Sequence, residues 1–450
     1  MSGIEALVEN LRTLVWGPGM LALLFGTGVF LSLRCGFPQL LQLRTVLRDS
    51  FGKLRRGGPD DGGIPPYQAL TTALAGTVGT GNIAGVTGAV LLGGPGAVFW
   101  MWVAAFFGMG TKYAEIALAV RYRADGDPPR GGPMYTIERG LGAAYRPLAA
   151  AFALCGGLAC FGIGNIAQSS EIAAAAGSLF GAPPLLAGLL LCVTVAAVLW
   201  GGGRRIGSFT GLAVPLMAGL YLAAVLPVLI LHARELPALF RLIVRSAFCP
   251  RAAGGGICFG ALRQGFSRGI FSNEAGLGSA PMAHAASSCR EPCGQAAWGV
   301  VEVFLDTFVI CTLTALVVLL SGLGLGPEDA AAYGSYSEAA SAALGRMLPG
   351  RAGGRVVPFC LLFFALSSII GWGYYGELCW GWLLGGRAAA AFRAVFAAVC
   401  LVGALGSGRL MWALSDALNG LMALPNLISL LLLSGRAAAM NRAYRLRGGP

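Results

Sequence analysis

Eleven stretches of about 20 mostly apolar residues limit what this chain can fold into more than any other feature. A helix needs about 20 such residues to cross the hydrocarbon core of a bilayer. Charge is scarce: 12% of the 450 residues are charged, against about 25% in an ordinary soluble domain. The predicted spans are 14–34, 67–93, 97–121, 146–176, 183–202, 205–232, 256–286, 294–322, 355–385, 388–407 and 410–434. The sequence therefore predicts an all-α polytopic membrane protein with about 11 transmembrane helices.

Charge and histidine content argue against several classes of function. The formal net charge is +12, but the basic residues lie between the apolar stretches, where they act as topology signals rather than as a nucleic-acid surface. Two histidines are too few for a histidine-based metal site, and no HExxH or GxSxG motif lies in a span. We therefore expect no enzyme activity, no cofactor, no nucleic-acid partner and no obligate protein partner.

The distribution of basic residues predicts which side of the membrane each terminus occupies. If the 35–66 connection is cytoplasmic, 21 basic residues fall on the cytoplasmic side and 9 on the outside, while Arg263 and Arg268 lie within a span. Basic residues are enriched in the cytoplasmic loops of membrane proteins. The sequence predicts a bacterial inner-membrane protein with its N-terminus outside and its C-terminus in the cytoplasm.

Two segments between spans, 37–56 and 234–248, combine apolar residues with Arg at helical spacing and are predicted to lie on the membrane surface as helices. Cys249 and Cys258 flank an Arg- and Gly-rich loop. They either pair, if that loop faces an oxidising side, or behave as small hydrophobic residues.

Two of the spans contain residues that interrupt a helix. Span two contains AGTVGTGN at 75–82, and span seven contains FSNEAGLGSAP at 271–281. Gly weakens a helix, Ser, Thr and Asn compete for its backbone hydrogen bonds, and Pro removes a donor. Unwound backbone at membrane depth is tolerated only where it is buried in protein or lines a cavity. The alternative interpretation is a glycine-rich face at which helices pack closely.

The positions of the two interrupted spans predict an internal repeat. Each opens a run of five spans, and an odd number of helices places the two halves in opposite orientations. Many secondary transporters have such a five-plus-five inverted repeat, with the binding site near the midplane. The predicted organisation is an extra transmembrane helix and interfacial helix at 1–66, a first repeat at 67–232, an extracellular connection at 233–255, a second repeat at 256–435 and a cytoplasmic tail at 436–450.

Several long motifs resemble the sodium–alanine symporter family, the alanine/glycine–cation symporters or amino acid carrier proteins. The most specific are residues 76–123, beginning GTVGTGNIAGV, and GIFSNEAGLGSAPMAHAA at 269–286. Further matches are GGPMYTIERGLG at 131–142, EVFLDTFVICTLTAL at 302–316, GWGYYGELC at 371–379 and DALNGLMALPNLISLLLLS at 416–434. The resemblance implies a leucine-transporter-like fold and the import of small neutral amino acids, such as alanine and glycine, with Na⁺. Proton-coupled symport and a facilitator of the same fold remain the alternatives.

The unwound segments supply what a zwitterionic amino acid needs. Backbone amides around Gly79, Thr80 and Gly81, near a half-helix N-terminus, can donate to its carboxylate. Unwound carbonyls, with Ser272 and Asn273, can accept from its ammonium. Asn82 completes the first predicted substrate-binding segment.

Three more residues join the predicted substrate site. The family resemblance suggests that Gln168 hydrogen-bonds the substrate; the alternative is a polar contact between helices. Phe271 and Trp372 are predicted to bound a pocket for a small side chain, or else to be ordinary core aromatics.

The coupling Na⁺ is expected to take hard oxygen ligands. In the fold that the resemblance implies, the hydroxyls of Ser367 and Ser368 face the carbonyls of Ala75 and Val78. The alternative is that both hydroxyls bond back to their own helix.

Seven acidic residues in or near spans are functional candidates by default. Glu274 is the best candidate for a gate or coupling role, and Glu274 or Asp306 would carry the proton in a proton-coupled symporter. Glu115 lies near Lys112 and Arg121, so it also has a structural interpretation. The full set is Glu115, Glu171, Glu274, Glu302, Asp306, Glu377 and Asp416.

Two features depart from the pattern expected of the family: Arg263 and Arg268 before the second unwound segment, and the Ala- and Gly-rich connection at 323–354. Side-chain specificity is not carried over from the family at these positions.

Overall fold

A computed structural model describes residues 3–41, 62–248, 257–324, 332–348, 353–406 and 409–447. Within these ranges the secondary structure is helical apart from two isolated β-bridges. The α-helices are Gly3–Val15, Pro18–Arg34, Pro66–Thr77, Val86–Gly93, Gly96–Arg121, Pro133–Leu141, Arg146–Phe161, Ala167–Phe180, Pro184–Leu199, Gly202–Leu231, Leu236–Ala247, Ile257–Asn273, Ala280–Ala285, Pro292–Val303, Thr312–Leu320, Tyr336–Met347, Gly353–Leu384, Gly386–Leu405 and Arg409–Leu446.

The described helices support a polytopic membrane protein. Eight are long and apolar enough to cross a bilayer, and a bent pair makes up to nine. The eight are Thr13–Arg34, Gly96–Arg121, Ala143–Phe180, Gly202–Leu231, Pro292–Leu320, Gly353–Leu384, Gly386–Leu405 and Asp416–Leu446. The predicted span 183–202 appears as the 16-residue apolar helix Pro184–Leu199, which is shorter than these eight.

The first interrupted span is the bent pair. Helix Pro66–Thr77 stops and residues 78 and 79 leave the helical path. After Thr80, which already has helical backbone angles, the chain resumes as a π-helix at Gly81–Gly85 and an α-helix through Gly93, bent by 54° from the first half. We call residues 78–80 the first break.

The second interrupted span, predicted at 256–286, also divides in two. Helix Ile257–Asn273 and the six-residue helix Ala280–Ala285 are separated by 274–279, which we call the second break. Three residues there have left-handed backbone: Glu274 at φ 53°, Gly276 at 90° and Gly278 at 86°. Glycine adopts this conformation at no steric cost, whereas Glu274 is an uncommon non-glycine example.

Two further spans, which the sequence did not predict to be interrupted, also contain irregular helix. Span four contains a π-helix at Gly162–Ile166, and span eight contains one at Phe304–Cys311. Such π-segments widen a helix locally and often occur at functional sites.

The halves of the broken spans pack against each other in pairs. Ala280–Ala285 packs on Pro66–Thr77, and Ile257–Asn273 packs on Val86–Gly93. We call the first pair the inner halves, because it lies on the side of the predicted cytoplasmic 35–66 connection: Ile64 N–H donates to the Ala286 carbonyl at 3.0 Å. The two breaks therefore face each other in the middle of the bundle.

The segments outside the predicted spans have different outcomes. A helix over 234–248 is present as Leu236–Ala247, with Ile243 and Ala247 buried. The last helix continues to Leu446, so the boundary expected at 435 is not the end of a helix. Most of the predicted surface helix 37–56, and the Cys249 side of the possible disulfide, lie outside the described residues.

Candidate functional site

The carboxylate of Asp306 connects the two breaks. Its Oδ1 accepts a hydrogen bond from Asn82 Nδ2 at 2.6 Å, just beyond the first break. Its Oδ2 accepts from Ser272 Oγ at 2.9 Å, just before the second break, and from Thr307 Oγ1 at 2.8 Å. Asp306 is fully buried. One acidic side chain thus binds groups from both broken spans, which no other described carboxylate does.

The sequence identified Asp306 as an acid within a span and did not place it in the substrate site. It lies in the π-segment Phe304–Cys311, which projects its side chain between the broken spans. The available signal was the adjacent pair Asp306-Thr307 in an otherwise apolar stretch, because neighbouring polar groups at membrane depth need partners.

Asn82 also fixes the shape of the first break. Its side-chain Oδ1 accepts from the backbone N–H of Gly79 at 2.9 Å, and the backbone N–H of Asn82 donates to the Gly79 carbonyl at 3.3 Å. Asn273 has a similar part at the second break, accepting from Ala275 N–H at 3.0 Å and donating to Thr307 Oγ1 at 3.3 Å. Both predicted asparagines therefore organise unwound backbone.

Two buried oxygen atoms beside Gly79 have no hydrogen-bond partner. They are Ser368 Oγ and Gln168 Oε1, whose side chains are 1% and 6% exposed. A Cβ added to Gly79 would lie 2.4 Å from Ser368 Oγ and 3.8 Å from Gln168 Oε1. Buried polar atoms are nearly always hydrogen-bonded in native proteins. Unpaired oxygens at an unwound segment indicate a place for a polar or cationic ligand.

The predicted aromatic residues contact different glycines. Phe271 lies against Gly81, where an added Cβ would be 3.6 Å from its ring. Trp372 lies against Gly164 of the span-four π-helix, where an added Cβ would be 2.3 Å from the Trp372 Cβ. The two rings therefore bound separate parts of the bundle around the breaks.

The predicted sodium ligands differ in their surroundings. Ser367 Oγ donates to the Phe364 carbonyl of its own helix at 2.9 Å and lies 3.2 Å from Met217 Sδ. Ser368 points to the first break. The last carbonyls of helix Pro66–Thr77 have no donor within the helix, because the helix ends there. Gly371, on the same helix as Ser368, packs directly on the backbone of Gly76. Ala75, Val78 and Thr80 are buried in this region.

The other acids in or near the spans have partners of their own, and of these Glu171 and Glu377 are only half-buried. Glu302 pairs with Lys112 at 3.2 Å and with His284 at 3.0 Å, Glu115 accepts from Asn426, and Glu274 accepts from Ser279. Glu171 accepts from Ser337, and Glu377 pairs with Arg393. Lys112, which the sequence suggested as a partner of Glu115, donates its hydrogen bond to Glu302.

The charge balance at the core favours binding of a cation. Four acidic side chains are buried among the described residues, namely Glu115, Glu274, Glu302 and Asp306, against one lysine. Burying an uncompensated charge costs several kcal/mol. A bound cation or a proton must therefore offset part of this negative charge, and Asp306 is the acid at the junction of the breaks.

Known proteins resemble the chain along nearly its full length. Residues 1–448 match the family described as the sodium:alanine symporter family. Over 443 residues the chain is 46% identical to the sodium/alanine symporter AgcS of Methanococcus maripaludis, covering 98% of this chain and 97% of that protein. It is 36% identical over 425 residues to the amino-acid carrier protein AlsT of Bacillus subtilis, covering 94% and 88%.

A solved structure shares the fold. The manganese transporter of Eremococcus coleocola aligns with a TM-score of 0.56 and 16% identity, covering 85% of this chain and 88% of that one. This likeness concerns the fold alone.

Proposed function

The chain belongs to the sodium:alanine symporter family, and we propose that it imports small neutral amino acids, alanine and glycine, together with Na⁺ by alternating access. The family assignment supports cation-coupled amino acid symport by an integral membrane protein. The choice of substrate, the coupling ion and the transport mechanism are the parts that we propose.

The observation that carries this proposal is the pair of unpartnered buried oxygens, Ser368 Oγ and Gln168 Oε1, beside Gly79. They come from two different spans and meet at unwound backbone. In our proposal Gln168 binds the substrate, while Ser368, with the carbonyls of Ala75 and Val78, binds Na⁺. Hydroxyl and carbonyl oxygens are hard ligands suited to such a cation.

The amino acid occupies the space between the breaks. Its carboxylate accepts from backbone N–H groups at Gly79, Thr80 and Gly81, and its ammonium faces the second break at Ser272 and Asn273. A zwitterion with one Na⁺ adds one net positive charge, and Asp306 supplies a negative charge to offset it. Phe271, beside Gly81, and Trp372, beside Gly164, then limit the size of the side chain from two different sides of this space.

A leucine-transporter-like five-plus-five inverted repeat is the architecture that we propose, with 67–232 and 256–435 as the repeats. The breaks at corresponding positions of the two halves and the packing of inner on inner and outer on outer halves support it. Eleven spans follow if Pro184–Leu199 and the second broken span each cross the membrane.

The proposed topology places the N-terminus outside and the C-terminus in the cytoplasm of a bacterial inner membrane. Leu7 and Leu446 are 69% and 83% exposed and mark the two ends. In intact cells, Leu7→Cys should react with a membrane-impermeant maleimide, and Leu446→Cys should react only after permeabilisation. Labelling of Leu446→Cys in intact cells would reverse the orientation.

Competition for uptake tests the proposed substrate class. Glycine should displace labelled alanine at concentrations at least about tenfold lower than leucine or arginine, because tenfold requires only about 1.4 kcal/mol of discrimination. A pocket limited by bulky rings supplies that much. Equal displacement by leucine would reject this substrate class without affecting the family assignment.

Replacing the two serines separately tests the sodium site. We expect Ser368→Ala to raise the Na⁺ concentration for half-maximal uptake by about tenfold, corresponding to about 1.4 kcal/mol. Alanine affinity should recover at saturating Na⁺, because ion and substrate affect each other's binding reciprocally.

Ser367→Ala is the matched control, since its hydroxyl already bonds to its own helix, and it should change Na⁺ dependence by less than about threefold. Equal effects of the two variants would show that both hydroxyls are ligands of the ion. If Ser368→Ala has no effect on the Na⁺ dependence, Ser368 is not a ligand and the ion site must be sought nearer Asp306.

Two transport experiments distinguish a facilitator and a proton-coupled symporter from the proposed Na⁺ symporter. A facilitator equilibrates alanine in a bath without Na⁺ and without a proton gradient. Proton coupling would drive accumulation with an inward proton gradient and choline in place of Na⁺.

A further inference from the structure

A second buried polar cluster lies on the inner side of the breaks. Glu302 accepts from Lys112 Nζ at 3.2 Å through Oε1 and contacts His284 Nε2 at 3.0 Å through Oε2. Gln295 Nε2 lies 2.8 Å from His284 Nδ1, and Ser287 Oγ donates to Gln295 Oε1 at 2.8 Å. All five side chains are fully buried.

The cluster determines the hydrogen positions on the imidazole. Because Gln295 Oε1 accepts from Ser287, its nitrogen faces His284 Nδ1 and donates to it. His284 Nε2 then carries the proton and donates to Glu302. A neutral imidazole thus adjoins a charge-balanced Lys112–Glu302 pair, and all five side chains of the cluster have a hydrogen-bond partner.

His284 connects a short buried helix to this pair. Ala280–Ala285 has only six residues, follows the second break, and is followed by non-helical residues 286–291. Lys112 and Glu302 lie on the long helix Gly96–Arg121 and on Pro292–Val303. The His284–Glu302 hydrogen bond therefore ties the short helix after the second break to the helices that carry Lys112 and Glu302.

The tied helix lies where an inward path must open. It packs against Pro66–Thr77, and residues 286–288 pair with Ile64 on the inner side. Arg123 also donates to the carbonyls of Ala285 and Ser287, at 3.1 and 2.6 Å. In the proposed transport cycle, substrate leaving toward this side passes between the two inner halves, which are packed together here.

We propose that Lys112, Glu302 and His284 form an inner latch, which holds the inner gate closed and which must release His284 before substrate leaves toward the cytoplasm. His284 is a positioning residue that acts through helix Ala280–Ala285. This inference rests on the proposed function for the direction of release, whereas the closed contact is a property of the described structure.

Labelling at position 69 tests the latch without transport. Ala69 is fully buried on the inner half of the first broken span. Purified Ala69→Cys protein in choline buffer is treated with maleimide, and peptide mass spectrometry follows modification at that position alone. Because no substrate or Na⁺ is used, the result does not depend on whether alanine is the substrate.

We expect His284→Ala to raise the labelling rate by about tenfold, as expected for loss of a hydrogen bond to a charged group. His284→Gln keeps a side-chain N–H for Glu302 and should return the rate to within about threefold of the parent. Glu302→Gln is a second variant in case His284→Ala does not fold, and it should raise the rate by at least about threefold.

The matched control removes a buried hydrogen bond elsewhere. Tyr221→Phe deletes the 2.5 Å contact between Tyr221 and Thr314 and should leave labelling unchanged. The latch is rejected if the variants that fold label at the parental rate, or if Tyr221→Phe accelerates labelling as much as they do.

Discussion

Replacing Gly79 by alanine should reduce Na⁺-driven alanine uptake by at least about 100-fold, whereas Gly81→Ala should retain uptake within about fivefold. A Cβ at Gly79 would lie 2.4 Å from Ser368 Oγ, closer than real Cβ contacts. At Gly81 the nearest atom would be 3.6 Å away, an ordinary contact. Neither glycine has a positive φ, so the difference is steric rather than conformational.

A double variant separates the clash from the loss of a ligand. In Gly79→Ala with Ser368→Ala, the atom nearest to the added Cβ is the Cβ of residue 368 at 3.5 Å. Alanine affinity at saturating Na⁺ should therefore recover relative to Gly79→Ala alone, while the Na⁺ requirement stays high. Uptake by Gly79→Ala equal to that of Gly81→Ala would show that this space is not part of the site.

Gly81→Leu, which adds bulk beside Phe271, should abolish binding without unfolding the protein.

The isosteric change Asp306→Asn should also reduce uptake by at least about 100-fold. Removing one partner of a buried charge pair costs about 3–5 kcal/mol, and the bound cation would lose the carboxylate that offsets it. The new amide oxygen can still accept from Asn82, and the Ser272 hydroxyl can rotate to accept from the new amide nitrogen, so the fold should tolerate the change.

Initial uptake rates across a Na⁺ titration provide the measurement for Asp306. Glu171→Gln is the control, because Glu171 is an acid of the same bundle whose hydrogen bond comes from Ser337 rather than from either broken span. It should transport at nearly the parental rate. Parental uptake by Asp306→Asn would exclude this carboxylate from charge compensation.

The interruptions in both broken spans could be predicted because their cause is local. Gly, Ser, Thr and Asn within eight to eleven residues weaken a helix wherever the segment lies. The helical class and most spans follow from apolar length in the same way. Family resemblance added Gln168 and Ser368, whose unpaired oxygens both lie beside Gly79.

The partners of Asp306 could not be predicted, because they come from remote parts of the chain. Asn82 is 224 residues away along the chain, and only packing of the two halves brings it to the carboxylate. The same holds for Lys112, Glu302 and His284, which lie on three helices.

The direction in which each side chain points along a helix was a second feature that the sequence could not supply. Neighbouring residues on an α-helix point about 100° apart, so Ser367 and Ser368 cannot face the same groups, and the sequence alone does not fix which one faces the first break. The π-helices at Gly162–Ile166 and Phe304–Cys311 change this rotation again and have only a weak local signal.

In our proposal Na⁺ drives amino acid import through the site between the two breaks. The most direct measurement is uptake of labelled alanine by proteoliposomes containing the purified protein, with an inward Na⁺ gradient compared against choline at the same pH inside and out. We predict accumulation above the equilibrium level with Na⁺ and none with choline. Equal uptake in both would contradict sodium-coupled symport, as would uptake that stops at equilibrium in the presence of Na⁺.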